Sequence, residues 1–140
     1  MRPLTACLVS LLVLIAPRAR AADDVLIADF EGADYGAWTV EGKAFGAGPA
    51  RGTLAGQMDV SGFEGKGLVS SFAGGDGATG LLTSPTFALT RPYINFLIGG
   101  GEHPGDTCMD LLIDGKPVRT STGPNDRPGG SEKLGWYTWD

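Results

Sequence analysis

The amino-acid sequence predicts an all-β fold, a jelly-roll or β-sandwich, on three observations. Short runs of apolar and β-branched residues recur along the chain, and each is bounded by Gly, Pro or Asp. No apolar stripe with helical spacing follows the first 21 residues. Asp114-Gly115 separates two extended runs, and this dipeptide is typical of a type I′ hairpin turn, which needs positive φ at both central residues.

The strongest strand predictions are residues 93–98 and 108–113. Alternation places Ile94, Phe96 and Ile98 on one face of the first run. The middle of each run is apolar on both faces, which is typical of central strands in a two-layer β structure with a partly solvated outer face.

Shorter runs predict the remaining strands. In chain order they are residues 25–30, 38–41, 67–72, 80–83, 86–89 and 116–122, and a last strand begins at Leu134. Residues 45–59 are rich in glycine and are predicted to form a long loop, and long ordered loops in compact domains are often functional.

Residues 1–21 are predicted to be a signal peptide. Arg2 precedes an apolar run over residues 4–16, which is long enough for a signal-peptide core and too short to span a bilayer. Ala19-Arg20-Ala21 offers small residues at alternate positions, so cleavage is expected after Ala21. A retained membrane anchor is the alternative. Cleavage would make the protein secreted or periplasmic, with residues 22–140 as one domain.

The charge of the chain argues against a nucleic-acid partner. It has 16 acidic and 11 basic residues and a formal charge of −5. Cleavage after Ala21 would remove three arginines and no acidic residue, leaving 8 basic residues and a charge of −8. Such a surface repels phosphate backbones and anionic membranes. Cys108 would then be the one remaining cysteine, so an internal disulfide is not expected.

The last predicted strand reaches the end of the sequence without a closing turn. A β-sandwich usually pairs its first strand with one from the far end of the chain, and residues 25–30 have no evident partner. We therefore expect residues 22–140 to be an incomplete sandwich, lacking its closing strands, within a longer protein.

An ordered series of motifs resembles a known family. The series includes Asp29-Phe30-Glu31-Gly32, Tyr35-Gly36-Ala37-Trp38, Gly65-Lys66-Gly67-Leu68-Val69, Thr83-Ser84-Pro85, Tyr93-Ile94-Asn95-Phe96, Asp114-Gly115, Val118-Arg119-Thr120 and Ser131-Glu132-Lys133-Leu134. These segments resemble the β-sandwich module of exported fructan-cleaving glycoside hydrolases of family 32, the levanases and related β-fructosidases. They are similar to carbohydrate-binding module family 66, which implies a concanavalin- or galactose-binding-like sandwich.

The resemblance implies a non-catalytic module that binds a polysaccharide or oligosaccharide, with fructan (levan) as the expected ligand. Its other expected partner is a catalytic propeller in the parent chain. An accessory domain that packs on the propeller without binding sugar is the alternative function. An independent exported adhesion domain is a third.

No motif in these residues predicts catalysis. Glycosidases need two carboxylates placed across the scissile bond, and the acidic residues show no distinguishing pattern. His103 is the single histidine, so neither a zinc site nor a catalytic triad is indicated. Residues 75–80 match Gly-x-Gly-x-x-Gly, but a short strand ended by Pro85 follows in place of the helix that a dinucleotide site needs.

Five residues are the predicted glycan ligands. They are Arg119, Asp126, Glu132, Asp110 and Trp136. Charged groups hold sugar hydroxyls in fixed orientations, and aromatic faces stack on sugar rings. Arg119 is expected either to pair with a carboxylate, such as Asp110 on the neighbouring strand, or to reach the ligand. Asp126 and Glu132 would join it if the loop over residues 125–130 folds across that face.

The tryptophans of the last strand are expected to divide between core and surface. Trp136 and Trp139 are three residues apart, so on one strand they face opposite sides.

No cofactor is predicted, apart from a structural calcium ion that the resemblance suggests. Asp29, Glu31 and Asp34 would supply the oxygen ligands that Ca²⁺ prefers. Their spacing is not that of an EF-hand, and three solvated carboxylates are the alternative.

Overall fold

The computed structural model describes residues 23–140, and the predicted signal peptide lies outside this range. The strands are β1 (Thr39–Gly42), β2 (Val60–Ser61), β3 (Gly80–Thr83), β4 (Ile94–Ile98), β5 (Met109–Ile113), β6 (Lys116–Ser121), β7 (Glu132–Lys133) and β8 (Gly135–Trp139). No helix occurs among the described residues, which confirms the all-β class. Accordingly, this part of the chain contains no helix able to cross a bilayer.

The strands form four two-stranded sheets, an arrangement consistent with a β-sandwich. β1 pairs with β3, β4 with β8 and β5 with β6, all antiparallel, whereas β2 and β7 are parallel. Only the β5–β6 pair joins consecutive strands. The other three pairs connect segments that are distant in sequence, so they depend on long-range contacts.

The predicted hairpin turn is confirmed. Asp114 and Gly115 have φ values of 51° and 74°, as a type I′ turn requires. Ile113 and Lys116 pair directly on either side of this turn. The ladder shifts register between Leu111 and Leu112, which is a bulge.

The β4–β8 pair has an aromatic inner face. Phe96 stacks with Tyr137 at 6.3 Å between ring centroids and lies 4.6 Å from Trp139. Trp139 is half-buried, and its indole Nε1 donates to Ser121 Oγ at 2.9 Å. Trp136 is 61% exposed. The two tryptophans therefore face opposite sides, as predicted.

A small core lies in the N-terminal half. The buried apolar side chains there are Tyr35, Ala44, Val60 and Leu68. The Tyr35 hydroxyl donates to the Phe45 carbonyl at 3.0 Å, and burial raises its pKa. The long loop over residues 45–59 thus packs onto this core.

The prediction of a first strand over residues 25–30 is wrong. Its apolar residues form no ladder within the described chain. Phe30 has a φ of 56°, in the left-handed region, where extended backbone ends.

Two further predicted strands are also wrong. Residues 86–89 lie between Pro85 and Pro92, which have no N–H to donate, and they join no ladder. In residues 67–72, Leu68 forms one isolated bridge with Ala50 before the chain turns.

Candidate functional site

The side of the β4–β8 pair opposite Phe96 carries the candidate site. The register places Asn95 opposite Thr138 and Leu97 opposite Trp136. Because Ile94 pairs with Trp139, the same register continued by one residue places Tyr93 opposite Asp140. We call the surface formed by Tyr93, Asn95, Leu97, Trp136, Thr138 and Asp140 the outer face.

Two large aromatic side chains are exposed on the outer face. Trp136 is 61% exposed at one end, and Tyr93 is 59% exposed at the other. Between them, the Thr138 hydroxyl donates to Asn95 Oδ1 at 2.8 Å. Asn95 is exposed, so its side-chain amide is accessible to a ligand.

Arg119 lies at the Tyr93 end of the outer face. Its Nη2 donates to Asp140 Oδ1 at 3.2 Å and to the Asp140 carbonyl at 2.9 Å. Its Nη1 donates to the Val118 carbonyl at 3.0 Å. The guanidinium therefore contacts acceptors on β6 and on the residue that follows β8, while the side chain stays 45% exposed.

The predicted carboxylate partner of Arg119 exists, but it is Asp140 and not Asp110. The hairpin register places Asp110 opposite Thr120, whose hydroxyl donates to Asp110 Oδ1 at 2.7 Å. Arg119 is opposite Leu111. Asp110 therefore cannot serve as the orienting group for Arg119 that the sequence suggested.

Asp126 and Glu132 lie at the opposite end of the β4–β8 pair. Residues 124–127 and 129–131 of the loop, together with Lys133, line an open cavity of about 630 Å³, with Asp126 among its walls. Asn125 fixes the loop to the segment after β4, since its N–H donates to the Gly100 carbonyl at 3.0 Å. Glu132 also lies beside Gly100.

The structure thus separates the predicted ligands into two groups. Ile98 pairs with Gly135, so Glu132 and the loop flank the Trp136 end of the outer face. Arg119 contacts Asp140 at the other end. Asp126 and Glu132 therefore lie at the end of the pair away from Arg119, and their role as glycan ligands stays a prediction.

The three calcium candidates each bind backbone N–H groups. Asp29 Oδ1 accepts from Glu31 N–H at 3.1 Å, and Asp34 Oδ1 accepts from Gly36 N–H at 2.9 Å. In residues 23–140 no three His, Cys, Asp or Glu side chains are grouped so as to hold a metal ion. Calcium binding stays a prediction.

Glu31 joins the N-terminal segment to the turn before Leu68. Its Oε1 accepts from the backbone N–H groups of Lys66 at 2.7 Å and Gly67 at 2.9 Å. These two hydrogen bonds hold the Glu31 pKa below its ordinary value, and the positive charges of Arg51 and Lys66 act in the same direction. Glu31 therefore has a structural role here.

Sequence reasoning missed most of the outer face. Alternation in residues 93–98 does place Tyr93 and Asn95 on one side. Alternation does not predict that β4 pairs with β8, and this pairing brings Thr138 and Asp140 beside Tyr93 and Asn95. That pairing crosses some 40 residues of sequence and has no local signal.

Comparison with known proteins adds one relative. A protein named "Putative glycosyl hydrolase ecdE" from Aspergillus rugulosus is 44% identical to this chain over 121 residues. The chain is related to a protein named as a glycosyl hydrolase. The match covers 84% of this chain and 16% of the relative, so the chain spans a small part of the relative's length. No family model and no solved structure matches the chain.

Proposed function

We propose that residues 22–140 form a non-catalytic, glycan-binding module of a secreted glycosidase of family 32, with fructan as the ligand. The observation that carries this proposal is the outer face. Two exposed aromatic rings, Trp136 and Tyr93, stand on one sheet surface with hydrogen-bonding groups between and beside them.

The chemistry of the outer face suits a sugar polymer. A sugar ring has apolar C–H patches, which stack on aromatic faces, and a rim of hydroxyls, which need donors and acceptors. Trp136 provides an aromatic face, and Asn95 and Thr138 provide neutral polar groups. Arg119 and Asp140 add charge-assisted hydrogen bonds, the stronger kind.

Hydrolysis at the outer face lacks a second carboxylate. Glycosidases place two carboxyl groups on either side of the scissile bond. Asp140 is the single carboxylate of the outer face, and it is paired with Arg119. Binding without bond cleavage is therefore the function we assign to this surface.

The motif resemblance and the glycosyl hydrolase relative both support a glycosidase as the parent protein. A module of this kind contributes through effective concentration, because weak contacts keep a tethered catalytic domain close to its polymer. The fructan assignment depends on the resemblance, since the geometry alone fits several neutral glycans.

The proposal is tested by affinity electrophoresis through levan. Trp136→Ala should lose retardation, because its ring supplies the stacking surface, and the expected loss of affinity is about tenfold or more. Phe87→Ala is the matched control, since Phe87 is an exposed aromatic residue outside the outer face. Equal retardation of wild type and Trp136→Ala would contradict the site, and wild-type migration unaffected by levan would contradict the function.

One observation favours the alternative of an accessory domain that packs on a catalytic propeller. The β5–β6 hairpin exposes Leu112, Ile113 and Val118, the kind of surface that a neighbouring domain covers. Deleting residues 22–140 from the parent protein separates the two functions. Loss of thermal stability with unchanged levan pull-down would support packing, and the reverse would support binding.

A further inference from the structure

We propose that Asp76 is a site of spontaneous covalent modification, where reaction with the backbone of Gly77 produces isoaspartate. We propose further that the fold protects the second Asp-Gly pair of the chain, Asp114–Gly115, from the same reaction. Asp76 and Gly77 lie in the glycine-rich stretch of residues 75–80. The reaction needs neither a glycan nor an enzyme, so it is independent of the proposed function.

The reaction conserves every atom of the chain. The backbone nitrogen of Gly77 attacks Cγ of the protonated Asp76 carboxyl group and forms an N–Cγ bond. The carboxyl hydroxyl leaves as water together with the hydrogen of the Gly77 N–H. Water then opens the succinimide ring. Cleavage of the N–Cγ bond restores aspartate, whereas cleavage between the nitrogen and the Asp76 carbonyl carbon gives isoaspartate. Mass is unchanged, and the main chain gains one methylene group.

The sequence restricts this reaction to two places. A side chain on the residue after aspartate crowds the attacking nitrogen, and glycine has no side chain. Of the aspartates in this chain, Asp76 and Asp114 precede glycine. Both Asp-Gly pairs are exposed. A Cβ added to Gly77 or Gly115 would meet no atom of residues 23–140 within 4 Å. Accessibility therefore does not distinguish the two pairs.

The hairpin turn restrains Asp114. Ring closure brings the glycine nitrogen next to the aspartate Cγ, which requires rotation about the ψ angle of the aspartate. Asp114 and Gly115 have φ values of 51° and 74° in a type I′ turn, and Ile113 pairs with Lys116 directly beside it. Rotation at Asp114 would separate this closing pair of the β5–β6 ladder. Ring closure there must therefore wait for local unfolding of the hairpin.

The turn at Asp76 is restrained less. The Ala78 N–H donates to the Gly75 carbonyl at 3.0 Å, which places Asp76 and Gly77 at the two central positions of a four-residue turn. β3 begins only at Gly80, so neither residue of this pair belongs to a strand. Gly75 has a φ of 79°, and a glycine there lets the adjoining backbone adjust at little steric cost. Rotation at Asp76 disrupts the turn hydrogen bond and leaves the paired strands in place.

The test is prolonged storage of the full chain in buffer of about pH 6, where a fraction of ordinary carboxyl groups is protonated. Digestion with a protease that cleaves before aspartate but not before isoaspartate, followed by mass spectrometry, locates the product. Isoaspartate should accumulate about tenfold faster at Asp76 than at Asp114. In concentrated urea at the same pH the two rates should become similar, because the hairpin no longer restrains Asp114.

Gly77→Ala is the matched control. Gly77 does not have a positive φ, and its surroundings leave room for a methyl group, so alanine fits without strain. The added methyl group should slow isoaspartate formation at Asp76 by about tenfold and leave the rate at Asp114 unchanged.

Four results would overturn the proposal. They are equal or faster accumulation at Asp114 in the folded protein, no isoaspartate at Asp76, an unchanged rate in Gly77→Ala, and a preference for Asp76 that persists in urea. The last result would show that the neighbouring sequence, and not the turn geometry, sets the difference between the two sites.

Discussion

At the scale of single residues, side chains that hold the backbone can be told apart from those available to a ligand. The Glu31 carboxylate accepts hydrogen bonds from the backbone N–H groups of Lys66 and Gly67. Arg51 donates from Nη2 to the Glu31 carbonyl at 3.1 Å, which ties a second segment to the same place. Arg119, by contrast, keeps nearly half of its side-chain surface exposed while its guanidinium contacts Asp140.

The Glu31 contacts predict a loss of stability in acid. The folded protein lowers the pKa of Glu31 below its ordinary value of 4.5, mainly through the hydrogen bonds from Lys66 and Gly67. This contribution is fully present above pH 4.5 and is lost as pH falls through the lower, folded-state pKa. Urea unfolding midpoints from pH 7 to pH 3 should therefore decline more steeply for wild type than for Glu31→Gln.

Glu64→Gln is the control for this measurement. Glu64 is exposed and accepts no hydrogen bond within the described part of the chain. Its variant should follow the wild-type decline. If Glu31→Gln declines as steeply as wild type, the hydrogen bonds to Lys66 and Gly67 contribute nothing to acid stability.

The ion pair of Arg119 could be predicted from the sequence only in part. The need for a carboxylate was predictable, because an arginine on a strand usually pairs with an acid. The choice of Asp140 over Asp110 was not, since it depends on where β8 lies relative to β6. The register of the β5–β6 hairpin was not predicted either. It places Asp110 opposite Thr120, so Asp110 does not face Arg119.

At the scale of elements, the β4–β8 pair divides its two faces between stability and binding. Phe96 contacts both Tyr137 and Trp139 on the inner face. The outer face leaves Tyr93 and Trp136 exposed. Substitutions on the two faces should therefore affect different properties.

Phe96→Ala should destabilise the protein by about 2 kcal/mol, below the 3–5 kcal/mol typical of fully buried phenylalanines, because Phe96 is half-buried. Tyr93→Ala on the outer face should change stability by less than about 0.5 kcal/mol. Chemical denaturation monitored by tryptophan fluorescence measures both. Equal destabilisation by the two variants would mean that the faces are not divided in this way.

The hairpin turn gives a second element-level prediction. Gly115→Val should destabilise the β5–β6 pair by about 1–2 kcal/mol, because a β-branched residue is strained at the positive φ of this position. Asp114→Asn should be neutral, since Asn-Gly suits the same turn. Amide hydrogen exchange in β5 measures the difference. Unchanged protection in Gly115→Val would show that the turn does not govern the hairpin.

Elements were predictable where the signal was local. The turn and its flanking strands follow from Asp114-Gly115 and from apolar alternation. Residues 25–30 carry an equally apolar pattern, but a strand also requires a partner, and the left-handed Phe30 interrupts them. The β2–β7 pair was missed because two residues on each side carry no periodicity.

At the scale of the whole molecule, the structure leaves considerable apolar surface exposed. Leu26 and Leu81 are 73% and 62% exposed. Within residues 23–140 each two-stranded sheet also has unpaired edges, which favour association between chains. Electrostatic repulsion from the net negative charge opposes that association.

This balance predicts self-association that depends on pH and salt. Sedimentation velocity should show larger species as pH falls from 7 toward the isoelectric point, and as salt screens the repulsion at pH 7. Replacing Leu81 with Glu on β3 should reduce the larger species at pH 7, because it removes an exposed apolar side chain and adds to the net negative charge. A monomer under all of these conditions would contradict the prediction.

The parallel contact between β2 and β7 has a consequence for how the chain folds. Val60 pairs with Glu132, and β4 likewise pairs with β8, so early segments find their partners only near position 140. During synthesis the β5–β6 hairpin can close as soon as it leaves the ribosome, whereas β2 and β4 must wait until residues 132–139 have emerged. Contacts of such high sequence separation slow folding, so the nascent chain should rely on chaperones for longer than a hairpin-rich protein of equal length.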